Sequence, residues 1–252
     1  MPMIEVSGLF RDIELAVFDK DGTLVDFDRL WAGKLKGAVA AVASETSLIP
    51  EVTEKLLVTL GVDPVGGSVV PESPLAVSTL PKLGTICAVV LYQTGLAWHA
   101  AESIVSTHFM PVIDALPGPN DLLPLGDLVG LFGGLKQAGI ATAIFTSDSR
   151  EPTEASLPRL GLDSLIDRMV CGDDGLPSKP APDGLLQLAQ AFGVLPERIM
   201  MVGDSVADMR AGRNAEAGLV VGVLSGTGSH EDLAAYADIV VRDVHEIRPR
   251  LP

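Results

Sequence analysis

Three apolar runs in this chain each stop at a cluster of acids, hydroxyls or glycine, and that punctuation limits the folds open to it. Leu15–Phe18 runs into Asp19-Lys20-Asp21-Gly22-Thr23-Leu24, and Ile140–Phe145 runs into Thr146-Ser147. Ile199–Val202 runs into Gly203-Asp204-Ser205-Val206-Ala207-Asp208. Short apolar runs bounded by turn residues read as strands buried on both faces. Segments at helical spacing lie between them, around Leu125 to Gln137, Thr153 to Leu160, Asp183 to Phe192 and Ala207 to Ala215. A short strand is expected near Met169, and the last strands at Leu219–Val223 and Ile239–Val241. Alternation of this kind specifies an α/β fold, a parallel sheet covered by helices. Such sheets hold ligands beyond the carboxyl ends of their strands, where the polar clusters fall.

From about Asp28 to Ala115 the pattern changes to helices. Trp31, Leu35, Val39 and Val42 form one stripe, and Val52, Leu56 and Leu60 a second after Pro50. Gly61 to Pro74 reads as a loop, and Ile86–Tyr92 and Trp98–Ile113 as two further apolar helices. Pro117-Gly118-Pro119 marks the return. The expected organisation is a core of residues 1–27 and 116–252, interrupted by a helical cap at 28–115. An insertion that leaves and re-enters beside the polar clusters is placed to act as a lid that excludes water.

Composition narrows the partners. Apolar residues make up 47% of the chain and charged residues 20%, which fits a buried globular core. The net charge of −15 argues against a nucleic-acid partner, since that contact rests on Lys and Arg neutralising phosphates. It leaves room for a small phosphorylated substrate, because a bound divalent cation and one lysine reverse the local field. No apolar run approaches the ~18 residues of a membrane span, and no membrane partner is expected. Met1 to Glu14 does not read as a signal peptide. Cys87 and Cys171 are the only cysteines, and are expected to be buried, reduced thiols of a cytoplasmic protein.

The clusters hold the parts for magnesium-assisted phosphoryl transfer through an aspartyl intermediate. Asp19 is the expected nucleophile. Asp21, two residues on, is the expected acid for the leaving oxygen and base for water. Gly22 allows a sharp turn beside phosphate, and Thr23 can fix the loop. Asp204 and Asp208, four apart, share one side of a helix start and are expected to hold Mg2+, with Asp19 and Asp21 completing the metal-holding acids. Asp204 as a plain helix cap is the competing reading. Thr146 and Ser147 offer hydroxyls and backbone N–H groups to phosphate. Lys179, before Pro180, supplies the cation that neutralises phosphate and nucleophile. Lys20 is expected to point away from Asp19 and Asp21 in a structural role. Asp148 would repel phosphate unless paired, with Arg150 the nearby candidate. His99 and His108 lie in the helical insertion, where packing or surface roles are expected.

In combination and order, these segments resemble the haloacid dehalogenase superfamily. Its members carry Asp-x-Asp-Gly-Thr, a Thr or Ser after the second strand, a lysine and a terminal Gly-Asp-x-x-x-Asp. The resemblance implies a Rossmann-like core with a helical cap and magnesium dependence. It assigns the catalytic roles to Asp19, Asp21, Thr146 and Lys179, phosphate binding to Gly22, Thr146, Ser147 and Lys179, and the metal to Asp19, Asp21, Asp204 and Asp208. Segment lengths resemble the phosphoglycolate and sugar-phosphate phosphatases, although Ser147 and Asp148 stand where the former have Asn and another residue. The activity implied is hydrolysis of a small phosphorylated metabolite. A phosphomutase and a non-catalytic binding protein on the same fold are the alternatives.

Overall fold

A computed structural model describes residues 2–46, 50–118 and 120–250. The described strands are β1 Met3–Val6, β2 Leu9–Asp12, β3 Leu15–Phe18, β4 Ala141–Phe145, β5 Arg168–Val170, β6 Ile199–Gly203, β7 Leu219–Val223, β8 Ile239–Val241 and β9 Ile247–Arg250. The chain divides into two units, Met1–Asp26 with Pro117–Pro252, and Phe27–Leu116.

In the first unit, six strands form a parallel sheet in the order β5-β4-β3-β6-β7-β8. The three apolar runs become its three central strands because each is buried on both faces. Ala16 and Phe18 of β3, Ile144 of β4, and Met200 and Val202 of β6 join one apolar cluster with Leu128, Phe132 and Leu135. The intervening residues Leu15, Val17, Ala143, Phe145, Ile199 and Met201 join another, with Leu185, Leu188 and Ala211. Period-two alternation thus sends successive apolar side chains into opposite layers. Phe18 packs on Phe132 with ring centroids 4.8 Å apart. Full burial of a side chain of that size contributes ~1.5–3 kcal/mol. The chain leaves β3 in one direction through β4 and β5, then returns to β3's other side at β6. The order reverses there, and a reversal opens a crevice at the strands' carboxyl ends.

Helix boundaries follow their caps. The helix Leu128–Gln137 begins three residues later than the apolar pattern indicated, because the Asp127 carboxylate accepts the Gly130 N–H at 2.9 Å. Arg150–Leu160 begins three residues earlier than expected. Asp183–Phe192 and Val206–Asn214 complete the longer helices of this unit.

A separate antiparallel sheet, β2-β1-β9, was not expected from the sequence. β1 and β2 are four residues each and joined by Ser7-Gly8, both at positive φ (45° and 86°). That is the two-residue hairpin turn that suits twisted strands. The Ser-Gly pair between two short mixed runs is a signal that could have revealed it.

The described elements of the second unit are helical, a π turn at Asp28–Ala32 and the helices Gly33–Thr46, Pro50–Leu60, Pro74–Val77, Leu80–Tyr92, Trp98–Ile104 and Met110–Ile113, with one isolated bridge between Val62 and Val69. The stripe Leu35, Val39 and Val42 is buried, as are Leu56 and Leu60. The expected single helix from Trp98 to Ile113 is interrupted by a π turn at Val105–Phe109. Pro111 has no N–H for the Thr107 carbonyl, and its ring crowds that turn, so the coil widens just upstream. Within the 61–74 loop, the Asp28 carboxylate accepts the Val69 N–H at 2.6 Å and Lys36 donates to the Gly67 carbonyl at 2.9 Å. Pro119 of the return segment lies outside the described residues. Both cysteines are buried and unpaired. No helix among the described residues is long and apolar enough to cross a membrane.

Candidate active site

The ends of β3, β4 and β6 bring buried charge together. Asp19 leaves β3 with its N–H still on the Val202 carbonyl of β6, at 2.8 Å. Its Oδ1 lies 2.6 Å from Lys179 Nζ, and that same ammonium lies 2.6 Å from Asp208 Oδ1. Lys179 precedes the helix Asp183–Phe192, and its Nζ sits 4.9 Å from the Phe145 ring centroid at the end of β4. Gly184 makes room for that ring, because a Cβ there would lie 2.5 Å from Phe145 Cε2.

Asp208 is fixed from its other side. Its Oδ2 accepts the Ser205 N–H at 3.0 Å and the Ser205 hydroxyl at 2.5 Å, while Ser205 Oγ accepts the Asp208 N–H. This reciprocal capping box starts the helix Val206–Asn214. Ser205, not Asp204, is therefore the cap. Asp204 is held by Thr227, whose N–H and hydroxyl both donate to Oδ2 at 2.8 and 3.1 Å, and by the Thr23 hydroxyl at 3.3 Å from Oδ1. Gly22 has φ +91°, and a Cβ there would lie 2.5 Å from Asp204 Oδ2. Only glycine serves both the turn and the close approach.

Asp19, Asp204 and Asp208 each present an oxygen within 4.8 Å of the others, and all three are buried. One ammonium sits among three carboxylates, and the imbalance shows in their proton affinities. Burial, opposed by Lys179 and reinforced by Asp208 and Asp204, holds the Asp19 carboxyl well above the usual range. Burial, then the Asp208 charge, pushes Asp204 up to about 7. Burial pulls the Lys179 ammonium down, but the charges of Asp19 and Asp208 outweigh it and hold its pKa above the ordinary value. Oxygen donors of this kind suit a hard divalent cation, which would supply the positive charge that the protons otherwise provide.

Asp21 is not part of this three-acid group. Its Oδ1 lies 2.6 Å from Lys20 Nζ, which also lies 2.9 Å from Asp148 Oδ2. The expectation that Lys20 keeps away from Asp21 fails because regular strand geometry stops at Phe18, and the loop beyond it turns back, with the Leu24 and Val25 N–H groups on the Lys20 carbonyl. Asp148 is paired with Lys20 and not with Arg150, which is drawn to Asp174 at 2.6 Å and Glu154 at 3.3 Å. Thr146 is buried, and its Oγ1 accepts the Asp148 N–H at 3.1 Å. Ser147 is exposed. In the helical unit, His99 is exposed and His108 half-buried.

Sequence reasoning missed the loop after β7. Ser225 donates to the Gly22 carbonyl at 2.7 Å, Thr227 holds Asp204, and the Gly228 N–H binds the Asp204 carbonyl at 2.9 Å. The run Ser225-Gly226-Thr227-Gly228 after an apolar strand is itself a signal at the same sheet edge.

Residues 13–216 match the family model of the haloacid dehalogenase-like hydrolases. A phosphoglycolate phosphatase of Agrobacterium fabrum is 28% identical over 94% of this chain and 91% of its own length. One from Shigella boydii is 26% identical over 96% of this chain and 94% of its own length. Among solved structures, a predicted phosphoglycolate phosphatase from Haemophilus somnus superposes with a TM-score of 0.66 at 20% identity, covering 92% of this chain and 95% of that one.

Proposed function

The chain belongs to the haloacid dehalogenase-like hydrolase family, and from that premise we propose that it is a magnesium-dependent phosphatase acting on a small phosphorylated metabolite through a phosphate ester of Asp19. The observation that carries this reading is the buried group Asp19, Asp204 and Asp208 around Lys179, at the ends of β3 and β6. Nearly full-length relatives bear the name phosphoglycolate phosphatase.

Each residue has a definite task. With Oδ1 of Asp19 on Lys179, its second oxygen attacks phosphorus, and the bond to the leaving oxygen breaks. Asp21 gives that oxygen a proton. It then takes one from the water that attacks the aspartyl phosphate, releasing phosphate and restoring Asp19. Thr146 Oγ1 already accepts from Asp148, which leaves its hydroxyl hydrogen for a phosphate oxygen. Lys179 neutralises charge on nucleophile and phosphate together. Asp19, Asp204 and Asp208 would hold Mg2+, which when bound acts as a Lewis acid toward the phosphoryl oxygens. The helical unit, Phe27–Leu116, chooses the metabolite. Two buried thiols fit a cytoplasmic setting.

Phosphate release from a panel of phosphorylated metabolites with Mg2+, phosphoglycolate included, tests the reading. Free phosphate and the parent alcohol are expected, whereas an isomeric phosphate ester would identify a mutase. A folded, magnesium-loaded protein inactive on the whole panel and on 4-nitrophenyl phosphate would refute it.

A further inference from the structure

The residue between the two acids of the first loop is a lysine with only 1% of its surface exposed. A lysine so placed stays charged only if carboxylates compensate it. Lys20 has two carboxyl neighbours, Asp21 Oδ1 at 2.6 Å and Asp148 Oδ2 at 2.9 Å, and Asp148 supplies the compensating charge when Asp21 carries the proton it donates. Asp148 is itself anchored. Its Oδ1 accepts the Ser149 N–H at 2.8 Å, its N–H donates to Thr146 Oγ1, and its carbonyl accepts the Gly172 N–H at 2.8 Å. A path of short polar contacts therefore runs from the loop after β4 to the carboxyl of Asp21. Asp19 is held by a different cation, Lys179. The two acids of the first loop are thus positioned by separate ammonium groups.

We propose that Lys20 is a positioning residue for proton transfer: anchored on Asp148, its ammonium holds the Asp21 carboxyl in the orientation from which it reaches the leaving oxygen. The inference rests on the phosphatase reading with Asp21 as its acid. A carboxyl on a loop beyond a strand's end has two side-chain torsions to fix, and a charge-assisted hydrogen bond of fixed origin restricts both. Lys20 takes no part in the attack of Asp19 on phosphorus. Its loss therefore slows the first step for esters whose leaving group must be protonated and spares that step for those whose leaving group departs as a stable anion. Hydrolysis of the aspartyl phosphate, which also uses Asp21, slows alike for all.

The test compares 4-nitrophenyl phosphate with phenyl and alkyl phosphates in the parent, Lys20→Met, and the paired Lys20→Met/Asp148→Asn variant. Removing both partners leaves no buried charge of that pair behind, so the paired variant keeps the test alive where the single one does not fold. The value of kcat/KM, which covers the steps up to departure of the leaving group, should fall by about 100-fold for the alkyl and phenyl esters and by less than ~10-fold for 4-nitrophenyl phosphate. An equal fall in kcat/KM for all esters in a folded variant, or no fall, overturns the proposal. Failure of both variants to fold makes the pair structural and overturns it too. A parent that hydrolyses none of the esters refutes the phosphatase reading itself, an outcome distinct from a parent active on all whose variants lose them equally.

Discussion

Without its cation, the site should make the protein less stable as pH rises, and Asp204 is one of the two carboxyls responsible. This carboxyl is 3% exposed, and burial followed by the Asp208 charge raises its pKa from 3.8 to about 7. In the unfolded chain it titrates near 3.8. The folded state holds the proton more tightly, so the stabilisation is complete below pH ~4 and is lost as pH rises through about 7. A gap of about three pH units corresponds to roughly 4 kcal/mol. Roughly 2–3 kcal/mol of it falls between pH 5 and pH 8. For a chain of this size that is a fall of about 4–12 °C in Tm. Asp19, also raised by burial, acts in the same direction. Asp167, Asp174, Asp243 and Glu246 are held below their ordinary values, so their titration lies under this window and does not offset it. The assay is thermal unfolding of chelator-treated protein across that range, with and without excess Mg2+. Magnesium should flatten the profile by replacing the protons, and Asp204→Asn should reduce its slope without metal. A metal-free profile that is flat, or one with the same slope in Mg2+, would refute the reasoning.

Gly22→Ala should cut magnesium affinity and turnover by ~10–100-fold, because the new Cβ displaces Asp204; a metal titration matching the parent's would contradict this. Calcium should be a poor substitute or an inhibitor, since it accepts more oxygens and can hold the second oxygen of Asp19 away from phosphorus. Full activity in excess chelator would end the metal-dependent account. Deleting Phe27–Leu116 and closing the gap with a short linker should depress turnover of the preferred metabolite far more than that of an aryl phosphate. A folded product that keeps its preference among metabolites would place selectivity elsewhere.

The parallel core was legible because its strands are buried on both faces. Leu15–Phe18 and Leu219–Val223 carry unbroken apolar runs that no surface strand would tolerate. β1, β2 and β9 were harder to read, since MIEV, LFRD and IRPR mix charge with apolar residues; β1 and β2 had only the Ser7-Gly8 turn to mark their local pairing, and β9 gains its order from pairing with β1 across the length of the chain. At the site, the acids and Lys179 could be named from order along the chain, because each follows a strand or opens a helix. Lys20 could not, since its partner Asp148 belongs to another strand's loop and the turn after Phe18 abolishes the alternation on which its direction was judged. Thr227 was missed for a similar reason: its contact with Asp204 joins the loops after β6 and β7, which only the sheet order makes neighbours.

The central claim is that Asp19 becomes phosphorylated. Rapid acid quenching during turnover of 4-nitrophenyl phosphate, followed by peptide mapping, reads this directly. The account predicts phosphate on the peptide that carries Asp19, its absence in Asp19→Asn, and loss of turnover in that variant with little change in thermal unfolding. Turnover with phosphate on another residue, or Asp19→Asn activity within about tenfold of the parent, would contradict it, since one carboxylate nucleophile is held to carry the whole reaction.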